Sequence, residues 1–382
     1  MIVFLLIALS IYALVNFYIL KREWQATALL GKTRVLIFVL SLSLVIAFPL
    51  GRLTERLFPG WLMEFVDRIG AFYLVIMLYS FLLILIIDLL RLGNAFFSFF
   101  PKSIVSQPQK AAFILFLAVI GIVLATMVGG TINNFHPRLR ALEIAIDKSA
   151  GPLKELKIAL ASDFHLGTIN RDAWLNKVVG MINSLNPDLV VLPGDVVDMY
   201  VPHAEGEHMI GTLQKIHAPL GVYSVTGNHE YYGGIEKNLQ YLAKAQVRVL
   251  QDEVLKINDD FYLVGRKDRT AESFGGGRRP LAEILKEIDL SLPLILLDHQ
   301  PYRLKDAEEA GIDLQLSGHT HAGQLFPLNL LNKKIWEQYW GYLLKGKTQF
   351  YVSCGVGTWG PPVRTGSRPE VVLVKLTFNG KR

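Results

Sequence analysis

The stretch Leu156-Lys157-Ile158-Ala159-Leu160-Ala161-Ser162-Asp163-Phe164-His165 joins an apolar run of strand length to an Asp-x-His pair. The polar pair falls where the strand stops. The same arrangement recurs downstream. Leu189 to Leu192 runs into Gly194-Asp195, and Val222 to Val225 into Gly227-Asn228-His229. Leu294 to Leu297 then leads to His299, and Leu314 to Leu316 to Gly318-His319-Thr320-His321. Other runs of strand length are Phe261 to Val264, Phe350 to Val352 and Val371 to Leu376. A helical pattern covers Ala173 to Leu185, with Trp174, Val178, Met181 and Ile182 on one face. Strands rich in Val, Ile and Leu alternating with helices predict an α/β fold, a layered sandwich whose sheet is covered on both faces.

Upstream of this domain the composition changes. The 382 residues are 51% hydrophobic and only 19% charged, too apolar for an ordinary soluble protein. The excess lies in four runs, Ile2 to Leu20, Val35 to Leu50, Ile69 to Leu90 and Ala111 to Ile132. About 20 apolar residues span a bilayer core, which predicts a four-helix transmembrane region over 1–135 with the second span the shortest. A connector over 136–152 and a domain over 153–382 complete the expected organisation. Lys21, Arg22, Lys32 and Arg34 follow the first run, and Arg91, Lys102 and Lys110 flank the loop after the third. Only Arg52, Arg56 and Arg68 lie between the second and third. The positive-inside rule then predicts a multi-pass cell-membrane protein with its C-terminal domain on the extracytoplasmic side.

The net charge of +6 is partly these anchoring loops, and without a clustered basic face no nucleic-acid partner is expected. The single cysteine, Cys354, excludes an intrachain disulfide.

In open α/β sheets ligands bind at the carboxyl ends of strands, so the polar motifs converge on one edge. Asp, His and Asn in such a cluster suit divalent Mn, Fe or Zn, and a shared carboxylate bridges two such ions about 3.5–4 Å apart. Glycines before Asp195, Asn228 and His319 let the chain leave its strand sharply.

The ordered motifs D-x-H, G-D-x-x-D, G-N-H-E, H and G-H-x-H resemble those of the calcineurin-like metallophosphoesterase superfamily over roughly residues 155–378. The closing Gly318 to Gln324 segment and the later Gly355-Val-Gly-Thr-Trp-Gly-Pro-Pro-Val-Arg364 are similar to those of membrane-associated bacterial members. The resemblance implies an α/β/β/α sandwich binding two divalent ions. It assigns Asp163, His165 and His321 to one ion, Asn228, His299 and His319 to the other, and Asp195 to a bridge between them. It leaves His229 to protonate the leaving group or stabilise phosphoryl oxygens. Asp198, Glu230 and Asp298 are expected to orient ligand imidazoles.

Two loops are candidates for substrate contact. Arg278 and Arg279 follow three glycines and offer guanidinium groups suited to phosphate. The segment Asn332 to Lys347 mixes Trp336 and Trp340, at helical spacing on one face, with four lysines, as interfacial segments do. The expected protein is a membrane-anchored phosphohydrolase whose partners are the lipid bilayer and a phosphoester, lipid-linked or from the envelope. The competing readings are the same chemistry on a soluble substrate such as a nucleotide, and a non-enzymatic metal-binding sensor or scaffold. The residues specify neither the ion nor an oligomeric state.

Overall fold

The structure, a computed structural model, describes residues 2–54, 60–199 and 203–380. It forms two compact units, Met1–Gly130 and Thr131–Arg382.

In the first unit the apolar runs become long helices, Ile2–Ala26, Thr33–Thr54, Trp61–Phe97 and Pro108–Asn134. Among the described residues three helices are long and apolar enough to cross a membrane, over Thr33–Leu53, Trp61–Phe97 and Pro108–Asn134. The expected four spans are thus three by length and composition. The shortest run is among them because its helix extends past the run at both ends, while the first run lies in the helix Ile2–Ala26, whose opening side chains fall outside those described. The second and third of these helices approach closely: a Cβ on Gly70 would stand 2.5 Å from Phe48 Cα, the kind of backbone contact small residues permit between membrane helices. Asp88 is partnered by Tyr18 at 2.5 Å and by Arg22 at 2.8 Å.

In the second unit alternation of apolar residues builds two six-stranded sheets. The strands are β1 (Arg138–Ile146), β2 (Glu155–Leu160), β3 (Leu189–Pro193), β4 (Val222–Val225), β5 (Arg248–Leu250) and β6 (Glu253–Ile257). They continue as β7 (Phe261–Gly265), β8 (Leu294–Leu297), β9 (Leu314–Ser317), β10 (Gly341–Lys345), β11 (Thr348–Val352) and β12 (Glu370–Phe378). One sheet has the order β1-β12-β2-β3-β4-β5 and the other β10-β11-β9-β8-β7-β6. Within them β2, β3 and β4 are mutually parallel, as are β7, β8, β9 and β11. The segment 136–152, expected as a connector, instead supplies β1, paired in parallel with β12 along its whole length.

Side chains on successive strand residues point to opposite faces, and this period of two sorts the core into layers. Ile158, Leu160, Leu189 and Val191 meet Phe261, Leu263, Ile295 and Leu297 between the sheets. On the outer face of the first sheet, Ala159, Val190 and Leu192 pack against Trp174, Leu175, Val178 and Ile182 of the Asp172–Ser184 helix. On the outer face of the second, Tyr262, Val264, Leu294 and Leu296 meet Leu281, Ile284 and Leu304. The result is the α/β/β/α sandwich.

Phe261 is fully enclosed between the sheets. Phe261→Ala is expected to cost about 3–5 kcal/mol through the cavity it leaves. At roughly 2–4 °C per kcal/mol for a domain of this size, calorimetry should show the second unit melting on the order of 10 °C lower. A shift under one degree would show that the two sheets close over the gap.

Candidate metal centre

Because the strands that precede the motifs run parallel within each sheet, their carboxyl ends deliver the polar residues to one edge of the sandwich. Asp163 and His165 follow β2, Asp195 follows β3, Asn228 and His229 follow β4, His299 follows β8, and His319 and His321 follow β9. All seven expected ligands come together there. Asp163, His165 and His321 bring their ligand atoms within 4.8 Å of one another, and so do Asp195, His299 and His319. Asn228 Oδ1 joins the second group, 3.2 Å from His299 Nε2 and 2.9 Å from His319 Nδ1. Asp195 Oδ2 reaches toward both, 3.2 Å from His299 Nε2 and 3.7 Å from His165 Nε2.

The backbone is bent hard to achieve this. Asp163, His165, Asp195, His319 and His321 all have left-handed φ, between 47° and 71°. Short polar residues tolerate that region better than most, and its concentration here marks a site held by its surroundings. The glycines contribute in two ways. Gly194 has a φ of +80°, the conformational freedom expected of it, but the glycines before Asn228 and His319 are needed for room instead. A Cβ on Gly227 would lie 2.2 Å from Asp195 Oδ1, and one on Gly318 2.3 Å from Asp163 Oδ2.

Electrostatics prepare most of these groups as ligands. Burial, followed by the charge of His229, pushes His165 down to about 4, and burial with His299 pushes His319 down to about 3. Burial, His165 and Arg364 hold His321 well below the usual imidazole range. These rings are neutral and keep a lone pair for a cation. Burial raises Asp163 to about 6. Burial also works against the anion of Asp195, yet His299 and His229 hold its carboxyl well below the usual range. Burial likewise opposes a charged His299, which Asp195 keeps well above its ordinary value. His299 Nδ1 lies 2.8 Å from the Pro193 carbonyl, an arrangement in which the ring donates from that nitrogen and turns Nε2 inward.

The donor set fits divalent cations. His165 Nε2 and His321 Nε2 lie 3.0 Å apart, with Asp163 Oδ1 3.5 Å from the latter. Ring nitrogens gathered at this separation among buried carboxylates form a donor set that a cation satisfies.

His229 lies at the rim. Its Nδ1 is 2.7 Å from Asp198 Oδ1, and its backbone N–H donates to Asp195 Oδ1 at 2.8 Å. Burial opposes its charge, but Asp195 and Asp198 raise it to about 9. Asp198 therefore orients the imidazole of His229, which is not one of the expected metal ligands. Glu230 does not touch an imidazole. It accepts from the backbone N–H groups of Asp195, Val197 and Gly227 at 3.0, 3.0 and 2.7 Å, tying the loops after β3 and β4 together. Asp298 is turned away from the histidines too, pairing with Arg278 and with Arg266 at 3.4 Å. Arg278 is consequently committed to that ion pair. Arg279 donates its backbone N–H to Asp252 at 3.0 Å, and neither arginine lines the metal cavity.

The Asn332–Lys347 segment is not one helix. A helix spans Leu328–Ile335, ends at Trp336, and the chain then turns through Gly341, at φ +85°, into the β10–β11 hairpin. Trp336 and Trp340 part company as a result. The Trp336 ring stands 5.3 Å from that of His319 and lines the cavity, while Trp340 donates to Glu370 at 3.1 Å beneath Arg138 and Arg140.

The cavity is about 290 Å³, and Thr320, Gln324, Leu328, Asn332 and Trp359 complete its wall. Of these only Leu328 carried no signal in the sequence: Thr320 and Gln324 lie in the Gly318 to Gln324 segment, Asn332 opens the aromatic and basic segment, and Trp359 lies in the Gly355 to Arg364 motif. Arg364 also had one, as the end of that motif. Fully buried, it donates to the Cys354 carbonyl at 2.8 Å, the Gly355 carbonyl at 3.3 Å and that of Gly357, and its Nη2 faces His321 Nδ1 at 3.2 Å. It thus fastens the loop after β11 beside that ligand.

Comparison with known proteins agrees with this geometry. The calcineurin-like phosphoesterase family profile matches residues 156–323. An uncharacterized metallophosphoesterase of Campylobacter jejuni is 30% identical over 381 residues, 98% of either chain. One of Helicobacter pylori is 36% identical over 243 residues, 63% of this chain and 64% of that one. A transmembrane protein with metallophosphoesterase domain from Danio rerio is 34% identical over 272 residues, 68% of this chain and 60% of that protein. The chain thus spans under two thirds of the length of the latter two. It belongs to the calcineurin-like metallophosphoesterases, as a member that carries membrane-capable helices.

Gly227→Ala places a methyl group against Asp195, so the purified variant should keep its fold but lose most of its bound metal. Elemental analysis beside a circular dichroism spectrum checks this. Full metal content would show that the loop after β4 can give way.

Proposed function

We propose that this chain is a membrane-anchored phosphohydrolase that uses two divalent ions to cleave a phosphomonoester or phosphodiester by in-line attack of water. The observation that carries the reading is the double cluster sharing Asp195, with the His229–Asp198 pair beside it. Asp163, His165 and His321 would hold one ion, Asn228, His299 and His319 the other, and Asp195 both. When bound, such a pair supplies an activated water and a clamp on the attacking and leaving oxygens. The protein's own contribution starts at His229, whose imidazole is kept protonated by Asp195 and Asp198 and faces the same cavity. From there it donates to a phosphoryl oxygen or to the departing alkoxide. Asp198 fixes the ring, and the Trp336 face gives an apolar side to the pocket.

A site with its proton donor in place favours an enzyme over a sensor. The apolar wall formed by Leu328, Trp336 and Trp359, in a chain with its own membrane helices, favours a lipid-linked phosphoester over a nucleotide. Arg91, Lys102 and Lys110, at or between the facing ends of the Trp61–Phe97 and Pro108–Asn134 helices, support a cytoplasmic loop there and a catalytic domain on the other side.

The full chain in detergent should hydrolyse phosphoesters, lose the activity to a chelator and regain it with Mn or Zn. His229→Ala should lower kcat about 10²- to 10⁴-fold while metal content stays constant. A purified protein loaded with metal and inert toward a broad phosphoester panel, lipid-linked compounds included, would sink the enzymatic reading. For orientation, an alkaline phosphatase fusion after residue 382 should be active and a green fluorescent protein fusion dark; the reverse pattern would place the domain in the cytoplasm.

A further inference from the structure

The helix Leu328–Ile335 leaves an apolar ridge uncovered at the mouth of the metal cavity. Leu328 and Asn332, one turn apart, line the cavity, and Trp336 caps the helix over His319. At 3.6 residues per turn, Leu331 and Ile335 fall within about 60° of Leu328 on the helix surface. Leu331 is 55% exposed and Ile335 70%, with Leu330 at 53% and Phe326 at 52% beside them. Single exposed apolar residues are ordinary, but several large ones on consecutive turns of one helix, bordering a catalytic pocket, mark a contact surface. Trp359, also exposed, borders the same cavity.

The chemistry beside the ridge names the occupant. Lys333 and Lys334 are exposed on the same helix, and long basic side chains flanking apolar and indole groups suit an anionic lipid headgroup layer. So short a helix would hold a bilayer weakly by itself. The chain's own membrane helices keep the lipid surface at high effective concentration, so weak contact suffices.

We propose that the Leu328–Ile335 helix lies in the headgroup region of the bilayer, so that the metal cavity opens onto the leaflet and not onto water. This rests on the lipid-linked substrate reading only for what passes through that opening. The surface itself can be tested without turnover. Cys354 is the chain's single cysteine and is buried, so nitroxide labels can be placed at Leu331→Cys and Ile335→Cys, with His208→Cys on an exposed helical position as the aqueous reference. The unsubstituted chain reports background labelling.

The full-length variants are reconstituted in phosphatidylglycerol–phosphatidylethanolamine vesicles, and collisions with oxygen and with a water-soluble nickel chelate are measured. The expected result is loss of nickel collisions with oxygen collisions retained at 331 and 335, and free nickel access at 208. Nickel access at 331 and 335 equal to that at 208 overturns the proposal, as does protection from both reagents, which would mark a protein contact. Turnover separates this surface from the substrate reading. Labels in water with lipid phosphoesters still cleaved remove the surface alone, while labels in lipid with only soluble phosphoesters cleaved uphold it and remove the substrate reading.

Discussion

Asp195 holds an almost fully enclosed negative charge where both ligand clusters meet, and the surrounding loops are shaped around the need to satisfy it. His299 and His165 approach one of its oxygens and the backbone N–H of His229 the other. Its own N–H is taken by Glu230, which also binds Val197 and Gly227 and so fixes the loop opposite. Gly227 has no side chain because that carboxylate occupies the space. Removing any of these would leave a buried charge short of partners. The left-handed backbone at five ligand positions follows from the same demand, since regular strand geometry would carry the side chains past one another.

Legibility in the sequence depended on burial. The strands recognisable as apolar runs are the interior ones, β2, β3, β4, β7, β8, β9, β11 and β12, each flanked by neighbours on both sides. Those that escaped notice, β1, β5, β6 and β10, are the four sheet edges. Edge strands present one side to water and carry charges such as Arg138, Arg140 and Lys256, which break the apolar run. In β1 the more buried face carries Arg138 and Arg140 ahead of Leu142, Ile144 and Ile146 while Leu139 is exposed, so the apolar alternation is broken and the segment reads as a connector.

The site was legible at its centre and blurred one layer out. Seven ligand residues of three types at strand ends sufficed to bring their positions together on paper, because topology alone carries them to one edge. Asp298 and Glu230 stand next to ligands in sequence, yet each turns toward a partner distant in the chain, Arg278 in one case and the β3 loop in the other. Trp336 and Trp340 shared a helical spacing that lapses at Trp336, where the backbone becomes extended and the helix ends before Trp340 is reached. Sequence spacing predicts direction only while one element continues.

The placement of β12 bears on the order of events in the cell. This strand lies between β1 and β2, yet it is made long after either. While the ribosome is still adding the loops that carry His299 and His321, the first sheet lacks an interior member and β1 has no neighbour in the sheet to pair with. Long-range closure of this kind is slow, and it keeps the domain open until Glu370–Phe378 has emerged.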